Sequence, residues 1–533
     1  MLRIRSILNL ILIILLSLSA FANTLSTNYL PSGRNYFLYI LILLVAALVI
    51  YNIYSVFISL NSKFDNKLSL IVQVICITLI SPYFTLKYFY KKKNNFFILS
   101  SVFFYIFLLS SLINHFFLFR IEFYDLSLAI CIWIMAIFLP SNFILTSYLE
   151  GKDKLSIMTF ILDFFYINMA IYSFACILAS TTILRHIFIH TEQGISNKGI
   201  QSIFGNSNIL GMDMLIAVIL SVITFILVKN KLSKAFSVII SICSLFILYT
   251  CNARTSIYAV ILAVLFSTIY LVILFIRRDL SKKFHGLLAL LIVLICLFIP
   301  FRSLSRYYLS SISETLSVSM NDKSTILSLE DLEFKNDENE FDDAKVNLSS
   351  SYPSLFYNHK LSANQIKIHN HILDKLDRIL SSRLQLIKEA SLMAFASPIW
   401  GFGYHRISDV AYHYMGDNSR LVASNIGSSH NIFSDALLRG GIIALINFIL
   451  LALAVIRIFI MLLKSSKIEP YSDKEQITAI KFIVLITFFT FMPVQLFEIT
   501  AISSVSPYFL FFWIFILMIG ILSSNFSERN NKI

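Results

Sequence analysis

Long apolar runs separated by short polar connections dominate the 533-residue sequence. Each run approaches the ~20 residues that a helix needs to cross a hydrocarbon core about 30 Å thick. Soluble protein cores do not produce so many such runs, and the pattern predicts an all-α integral membrane protein with about twelve transmembrane helices. The candidate spans are residues 6–22, 36–59, 68–86, 95–118, 124–147, 155–178, 209–228, 235–251, 255–276, 286–301, 437–463, 478–497 and 507–524.

One long polar stretch interrupts this pattern. It divides the chain into an N-terminal transmembrane region, residues 1–302, a large loop, residues 303–436, and a C-terminal transmembrane region with a short tail, residues 437–533. Within the loop, residues 330–343 carry eight acidic side chains against one lysine and no apolar periodicity. That composition is typical of a flexible, solvated insertion.

The second half of the loop has a different pattern. Between Leu361 and Phe395, apolar residues recur at spacings of mostly three and four. This periodicity predicts one or two amphipathic helices that lie near the membrane surface or cap the bundle. Pro398 and the glycines that follow it end the helical pattern.

The basic residues indicate how the chain crosses the membrane. Only 14% of residues are charged, and the formal net charge of +13 arises from lysines and arginines clustered in short connections rather than on a nucleic-acid-binding face. The positive-inside rule predicts that these connections and the C-terminus are cytoplasmic and that the large loop is extracytoplasmic. The basic connections are residues 87–94, 148–154, 229–234, 277–285 and 464–477.

The N-terminal region does not follow the same alternation. Arg3 and Arg5, an apolar stretch and then Ala20-Phe21-Ala22 resemble a signal sequence. Neither three spans nor cleavage followed by two spans would leave the basic connection at 87–94 in the cytoplasm. We therefore expect residues 6–22 or 68–86 to form an interfacial or re-entrant segment.

His430 is the first candidate for chemistry, because Ser429-His430-Asn431 immediately precedes an apolar run. A histidine at the mouth of a span can accept a proton near neutral pH from a substrate held at the membrane surface. The alternative is a histidine that only lies at the interface, next to an asparagine that caps the helix.

Two arginines are the next candidates. Arg254 lies in a very short outer turn between two apolar runs, where a positive charge opposes the topological bias and is costly unless paired or used. The planar guanidinium suits phosphate oxygens. A plain interfacial anchor is the alternative for Arg254, and a solvated helix face is the alternative for Arg383 on the amphipathic segment.

Other chemistries find little support in the sequence. All cysteines lie in or beside apolar runs, which favours packing over disulfides or metal ligation. His369 and His371 are two positions apart on a predicted helix, so they point to different faces and make a poor metal site. The spans contain few acidic residues, namely Asp163, Asp213 and Asp125 at the edge of its run, which disfavours a proton-coupled carrier.

Four stretches resemble motifs of the O-antigen ligase and O-antigen polymerase family of bacterial envelope glycosyltransferases. GNSNILG at Gly205–Gly211 is similar to the family's GNPN entry into a span, and NARTS at Asn252–Ser256 to its SRG segment. Arg383–Gly403 resembles an arginine followed by P-x-x-G-x-G, and His430–Gly441 resembles H-[N/S/Q]-x9-G-x-x-G. Ser207 replaces the proline of the first motif, and Ala444 replaces the last glycine of the fourth.

The resemblance implies a fold with about twelve spans and a large periplasmic loop in the bacterial inner membrane. It implies a glycan donor linked to undecaprenyl diphosphate and an acceptor hydroxyl on lipid A–core, another glycan or a protein, with no metal or cofactor. Arg254 and Arg383 would bind the diphosphate and His430 would activate the acceptor. The substrate-binding residues implied are Asn431, Asn208 and, near the first motif, Lys198 or Arg185.

The leading hypothesis from the sequence is therefore an O-antigen ligase that joins a glycan to lipid A–core. An O-antigen polymerase or a protein O-oligosaccharyltransferase would share the same motifs, because no recognisable sequence code specifies the acceptor. A polytopic transporter or lipid-linked glycan flippase is the alternative from another class, and it requires functional charges inside the bundle rather than at its outer mouth.

Overall fold

The computed structural model describes residues 153–189, 195–196, 199–323, 383–403, 431–464 and 474–497, together with scattered positions within 10–25, 410–419 and 511–518. The long helices of these residues are α1 Asp153–Ile189, α2 Ser207–Leu227, α3 Lys231–Thr250, α4 Arg254–Ile276, α5 His285–Lys323, α6 Arg383–Ala394, α7 Ile432–Lys464 and α8 Lys474–Phe497. Two-residue strands, β1 Ile195–Ser196 and β2 Gly199–Ile200, pair antiparallel between α1 and α2.

Seven of the described helices are long and apolar enough to cross a membrane, and they match the runs predicted between residues 155 and 497. Residues Ile13–Ala22 form a shorter apolar helix. The runs predicted between 36 and 147 and the acidic insertion at 330–343 lie outside the described residues, and most of the run at 507–524 does as well. The described residues are mostly helical and include apolar helices of spanning length, as an all-α membrane protein requires, while the total of about twelve spans stays a prediction.

Two helices continue well past the ends of their apolar runs. α1 reaches Ile189 rather than ending near 178, and α5 reaches Lys323 rather than ending near 301. The expected boundary of the large loop at 302/303 therefore falls inside a helix. Hydropathy marks where a chain leaves the hydrocarbon, whereas backbone hydrogen bonding can continue through polar residues in water. Pro300 does not stop α5, which continues through it.

One helix of the bundle, α3, buries small polar side chains on one side and exposes apolar ones on the other. On α3, Ser237, Ser241 and Ser244 are fully buried at spacings of four and three, while Phe236 and Ile239 on the opposite side are exposed. Small residues let helix backbones approach closely where lipid removes the hydrophobic drive for association. This pattern is expected of a helix with one side facing lipid and the other packed against neighbouring helices.

The helices alternate between two ends of the bundle. Lys474 at the start of α8 donates to Asp279 in the α4–α5 connection at 2.7 Å, so these segments share one end, named here the Asp279 end. Gly211 near the start of α2 contacts Ala253 just before α4, which defines the opposite, Arg254 end. The alternation is the one that the predicted topology needs, although the side of the membrane that each end faces stays a prediction.

A second, smaller core lies outside the main bundle core. It is formed mainly by apolar residues of α6 and of the turn that follows it, together with Leu438 of α7. Residues Arg383–Ala394 are helical, within the segment predicted to be amphipathic, whereas 361–382 lie outside the described residues. The members of this core are Leu386, Ala390, Met393, Ala396, Phe402, Val410, Ala411, Met415 and Leu438.

Candidate functional site

Three of the described helices begin at an asparagine that caps them. The Asn206 side chain accepts from the Asn208 backbone N–H at 2.8 Å, and the Asn230 side chain accepts from the Leu232 N–H at 3.0 Å. Such caps satisfy N–H groups that have no partner within the helix. In the first motif, therefore, Asn206 is a structural cap, whereas the predicted substrate-binding residue Asn208 is exposed on the first turn of α2.

α4, in contrast, begins without a side-chain cap. Ala253 occupies its N-cap position and makes no capping bond, and the next residue is the exposed Arg254. Ala253 is nearly fully buried against Gly211, where an added Cβ would overlap the Ala253 methyl group. A larger capping side chain has no room there, so the first and second motifs pack together at the cost of leaving the α4 start uncapped.

An uncapped helix start that carries an arginine is suited to an anion. The first-turn N–H groups and the helix dipole favour negative charge at this position. Arg254 adds a full positive charge and a forked set of donors. Asn252, at φ 54°, supplies the left-handed turn that lets α4 follow α3 after three intervening residues.

The β1–β2 hairpin and the end of α1, close in sequence to the other predicted basic residues, lie at the same end. The β1–β2 hairpin contacts the turn before Arg254, since a Cβ on Gly199 would lie 2.6 Å from the Cys251 carbonyl oxygen. Lys198 is in this hairpin but outside the described residues, so its role stays a prediction. Arg185 is exposed near the end of α1, one residue before His186, whose ring packs edge-on against Tyr308 at 5.5 Å.

The third and fourth motifs meet where α7 is broken. Gly441, the tenth residue of α7, has φ 66° and ψ −166°, which interrupts the helix three residues after Leu438 of the smaller core. The turn 397–403, which follows α6, inserts at this break. We call residues 397–403 and 438–442 together the kink junction.

Backbone groups freed by the break are paired across the kink junction. Ile442 N–H, which in an unbroken helix would bond to Leu438, donates to the Pro398 carbonyl at 2.8 Å. The Leu438 carbonyl instead accepts from Phe402 N–H at 2.8 Å, and the Arg439 carbonyl accepts from Gly403 N–H at 2.8 Å. The break in α7 is therefore satisfied by α6's turn, and neither motif would be stable in this form alone.

Two glycines make this close contact feasible. Gly401 has φ 67° and Gly441 has φ 66°, in the left-handed region that favours glycine. A Cβ on Gly401 would lie 2.6 Å from the Arg439 oxygen, and one on Gly441 would overlap the Ile399 carbonyl. The glycines of P-x-x-G-x-G and of the H-N motif thus belong to one backbone contact.

A buried ion pair reinforces the kink junction. Asp435 and Arg439 are 0% and 4% exposed at the side chain, and Arg439 Nε donates to Asp435 Oδ2 at 3.3 Å. Arg439 Nη1 also donates to the Gly403 carbonyl at 3.4 Å. This pair was not predicted from the sequence, although the i,i+4 spacing of an acid and a base on a predicted helix is a signal for such a pair.

Asn431 closes the start of α7 beside the predicted catalytic histidine. Its side-chain oxygen accepts from the N–H groups of Phe433 at 2.9 Å and Ser434 at 3.2 Å, which confirms the capping position expected from the sequence. His430 itself and the Arg383 side chain lie outside the described residues, although Arg383 is the first residue of α6. Their catalytic roles stay predictions.

α6 is held by a buried acid as well as by the turn. Glu389 is fully buried and accepts from Gln385 Nε2 at 2.9 Å and from Ser419 Oγ at 2.8 Å. The bond from Ser419 ties the helix that begins at Arg383 to the segment that precedes His430 in the sequence. In α2, Asp213 is also buried, and its Oδ2 has no hydrogen-bond partner among the described residues.

Within the described part of the chain, no group of three or more His, Cys, Asp or Glu side chains could hold a metal ion.

A comparison with protein families finds a match over residues 239–449 to the family described as O-antigen ligase. A search of curated proteins finds no match. The matched segment contains Arg254, α6, the kink junction and His430, so three of the four motifs lie inside it. Over residues 239–449, this chain is therefore similar to the O-antigen ligase family.

Proposed function

We propose that this protein is an O-antigen ligase, which transfers a glycan from undecaprenyl diphosphate to a hydroxyl group of lipid A–core at the periplasmic face of the inner membrane. The proposal rests mainly on the geometry at the start of α4. There an exposed Arg254 stands at an uncapped helix N-terminus, within the part of the chain that matches the family. A diphosphate is the kind of ligand that such a start favours.

In the proposed reaction, the acceptor hydroxyl oxygen attacks the anomeric carbon of the donor's first sugar. The bond from that carbon to the diphosphate oxygen breaks, and undecaprenyl diphosphate leaves with the electron pair. Arg254 and Arg383 stabilise the charge that develops on the leaving group, and His430 accepts the proton from the acceptor hydroxyl. The leaving group is already stable as an anion, so it does not need to be protonated.

The remaining predicted residues have supporting roles in this proposal. Lys198 or Arg185 contributes further positive charge at the Arg254 end, and Asn208 and Asn431 contact sugar hydroxyls. Ile399 and Trp400 are exposed on the turn of the kink junction, and aromatic side chains of this kind favour the membrane–water interface. Both substrates are lipids, so the interface is where their headgroups would meet.

The lipopolysaccharide of a strain that lacks the protein tests the proposal. A ligase predicts core without attached glycan, together with accumulated lipid-linked polymer. Core bearing a single repeat unit would instead indicate a polymerase, and normal lipopolysaccharide with an unglycosylated protein would indicate an oligosaccharyltransferase. Donor trapped on the cytoplasmic face would indicate a flippase. Complementation with Arg254→Ala that restores normal banding would contradict the proposed site.

A further inference from the structure

The buried ion pair of α7 lies between the two halves of the proposed catalytic apparatus. Arg383 begins α6, which runs into the turn 397–403, and His430 immediately precedes the cap of α7. Arg439 is bonded to that turn through Gly403, and Asp435 lies in the first turn of α7. A continuous series of contacts therefore runs from one predicted catalytic residue to the other.

The start of α7 is tied closely to Asp435. The Asp435 backbone N–H donates to the Asn431 carbonyl at 3.0 Å, and the Ser434 hydroxyl donates to the same carbonyl at 3.0 Å. Asn431 is thus held through both its side chain and its backbone, and the residue before it is His430. Any rotation of this first helical turn would move the attachment point of His430.

The Asp435–Arg439 pair is buried, and burying charged side chains costs free energy. Replacing a buried ion pair by well-packed apolar residues is often neutral or stabilising, so the pair is poorly explained by stability alone. The bond with Asp435 orients Arg439 within α7, and the bond from Arg439 to the Gly403 carbonyl joins α7 to the turn 397–403, two elements whose backbones are already in contact. Orientation is what a group-transfer site needs, since a displacement of about 1 Å can cost on the order of a hundredfold in rate.

We propose that Asp435 and Arg439 are positioning residues for glycan transfer, which set the kink junction and thereby hold the start of α6, with Arg383, in register with His430 at the start of α7. The proposal rests on the proposed function for its catalytic consequence, whereas its structural part does not. Neither residue contacts the substrates in this account.

The test uses the full-length protein in lipid nanodiscs, with a glycan linked to undecaprenyl diphosphate as donor and lipid A–core as acceptor. Asp435→Asn keeps the shape of the side chain and removes its charge. We expect kcat to fall about tenfold to a hundredfold while KM for the donor changes little, because geometry rather than binding is lost. Arg439→Lys keeps the charge but not the planar fork, and we expect an intermediate fall in kcat.

The matched control is Asp279→Asn, which breaks the exposed ion pair with Lys474 at the opposite end. It should leave kcat and KM unchanged. Amide hydrogen exchange in the same samples reports on the kink junction directly. Exchange at Phe402 and Gly403 should rise in Asp435→Asn and stay at the wild-type level in Asp279→Asn, because only the first variant loosens those two backbone bonds.

The outcomes separate the two proposals. A wild-type protein that transfers no glycan would overturn the proposed function and, with it, any catalytic role for the pair. Unchanged exchange at Phe402 and Gly403 in Asp435→Asn would overturn positioning whether or not the enzyme is active. A rise in KM with kcat preserved would also overturn it, in favour of substrate binding. If Asp435→Asn fails to fold, Arg439→Lys supplies the same readouts.

Discussion

Two helices that carry family motifs, α4 and α7, begin in opposite ways. α4 starts at exposed Arg254 with no side-chain cap, whereas α7 starts at Asn431, whose side chain caps the N–H groups of Phe433 and Ser434. An uncapped start keeps its donors and dipole for an external anion, and a capped start uses them to fix its own geometry. The motif at the start of α4 is therefore suited to binding an anion, and the motif at the start of α7 to positioning the residue that precedes it.

The largest effect is expected from a change that disrupts the kink junction. Gly441→Ala would place a methyl group against the Ile399 carbonyl at φ 66°, and the junction would have to open. We expect a loss of roughly 2–4 kcal/mol in the free energy of unfolding, together with loss of glycan transfer. Thermal unfolding in detergent measures the first, and the nanodisc transfer assay the second.

Gly286→Ala is the matched control for that change. A Cβ on Gly286 would meet only the Phe225 side chain, at 3.4 Å, in an ordinary helix. We expect its unfolding temperature and transfer rate to stay near those of the wild type. Equal destabilisation by the two variants would contradict the special role given to the kink.

Arg254→Ala removes the charged side chain of the proposed anion site at the start of α4. Removing a donor that stabilises developing charge typically costs about a hundredfold or more in rate. The side chain is exposed, so the unfolding temperature should not change. Transfer kinetics at varied donor concentration would measure the effect. Arg277→Ala, which removes an exposed arginine just after the other end of α4, should leave transfer unchanged.

A smaller effect separates capping from catalysis. Asn431→Ala and Asn230→Ala each remove one helix cap, and each should cost about 1 kcal/mol of stability. Only Asn431 lies beside His430, so only Asn431→Ala should slow glycan transfer. Denaturation midpoints and initial rates of the two variants would be compared side by side. Equal rates would leave Asn431 as a cap with no part in the reaction.

The smallest effect belongs to the exposed ion pair at the other end of the bundle. The hydrogen bond and charge of Lys474 lower the pKa of Asp279. A carboxyl whose pKa is lowered on folding adds stability above its unfolded pKa, and that stability is lost as the pH falls through the folded pKa. Both side chains are well exposed, so solvent screens the interaction.

We therefore expect Asp279→Asn to lower the unfolding temperature only slightly at neutral pH. The difference from the wild type should vanish well below the ordinary Asp pKa of about 3.9, where both proteins lack the charge. Thermal unfolding at the two pH values measures it. A difference that grows in acid would have the wrong sign for a lowered pKa.

Much of the membrane architecture could be predicted from the sequence, because a span must be apolar over about 20 residues. Seven of the described helices are long and apolar enough to cross a membrane, and they match the apolar runs predicted between residues 155 and 497. The ends of α1 and α5 could not be predicted in the same way. Hydropathy reports the environment of side chains and not the backbone hydrogen bonds that continue to Ile189 and Lys323.

The motifs of the candidate site could be recognised from the sequence, but the contacts between them could not. The sequence indicated Arg254 as an anomalous charge in a short turn and Asn431 as a cap, since both signals are local. It did not indicate that Pro398 bonds to Ile442, because that contact joins positions far apart in the sequence and depends on a helix break. The Asp435–Arg439 pair was missed for a related reason, since burial cannot be read from spacing alone.

Glycan transfer by the purified protein is the most direct test of the proposed ligase activity. Full-length protein in nanodiscs would be mixed with a glycan on undecaprenyl diphosphate and with lipid A–core, and the products would be separated by mass. We predict glycosylated lipid A–core and released undecaprenyl diphosphate with the wild type and Arg277→Ala, and about a hundredfold less with Arg254→Ala. No transfer, or transfer that does not depend on Arg254, would contradict the account.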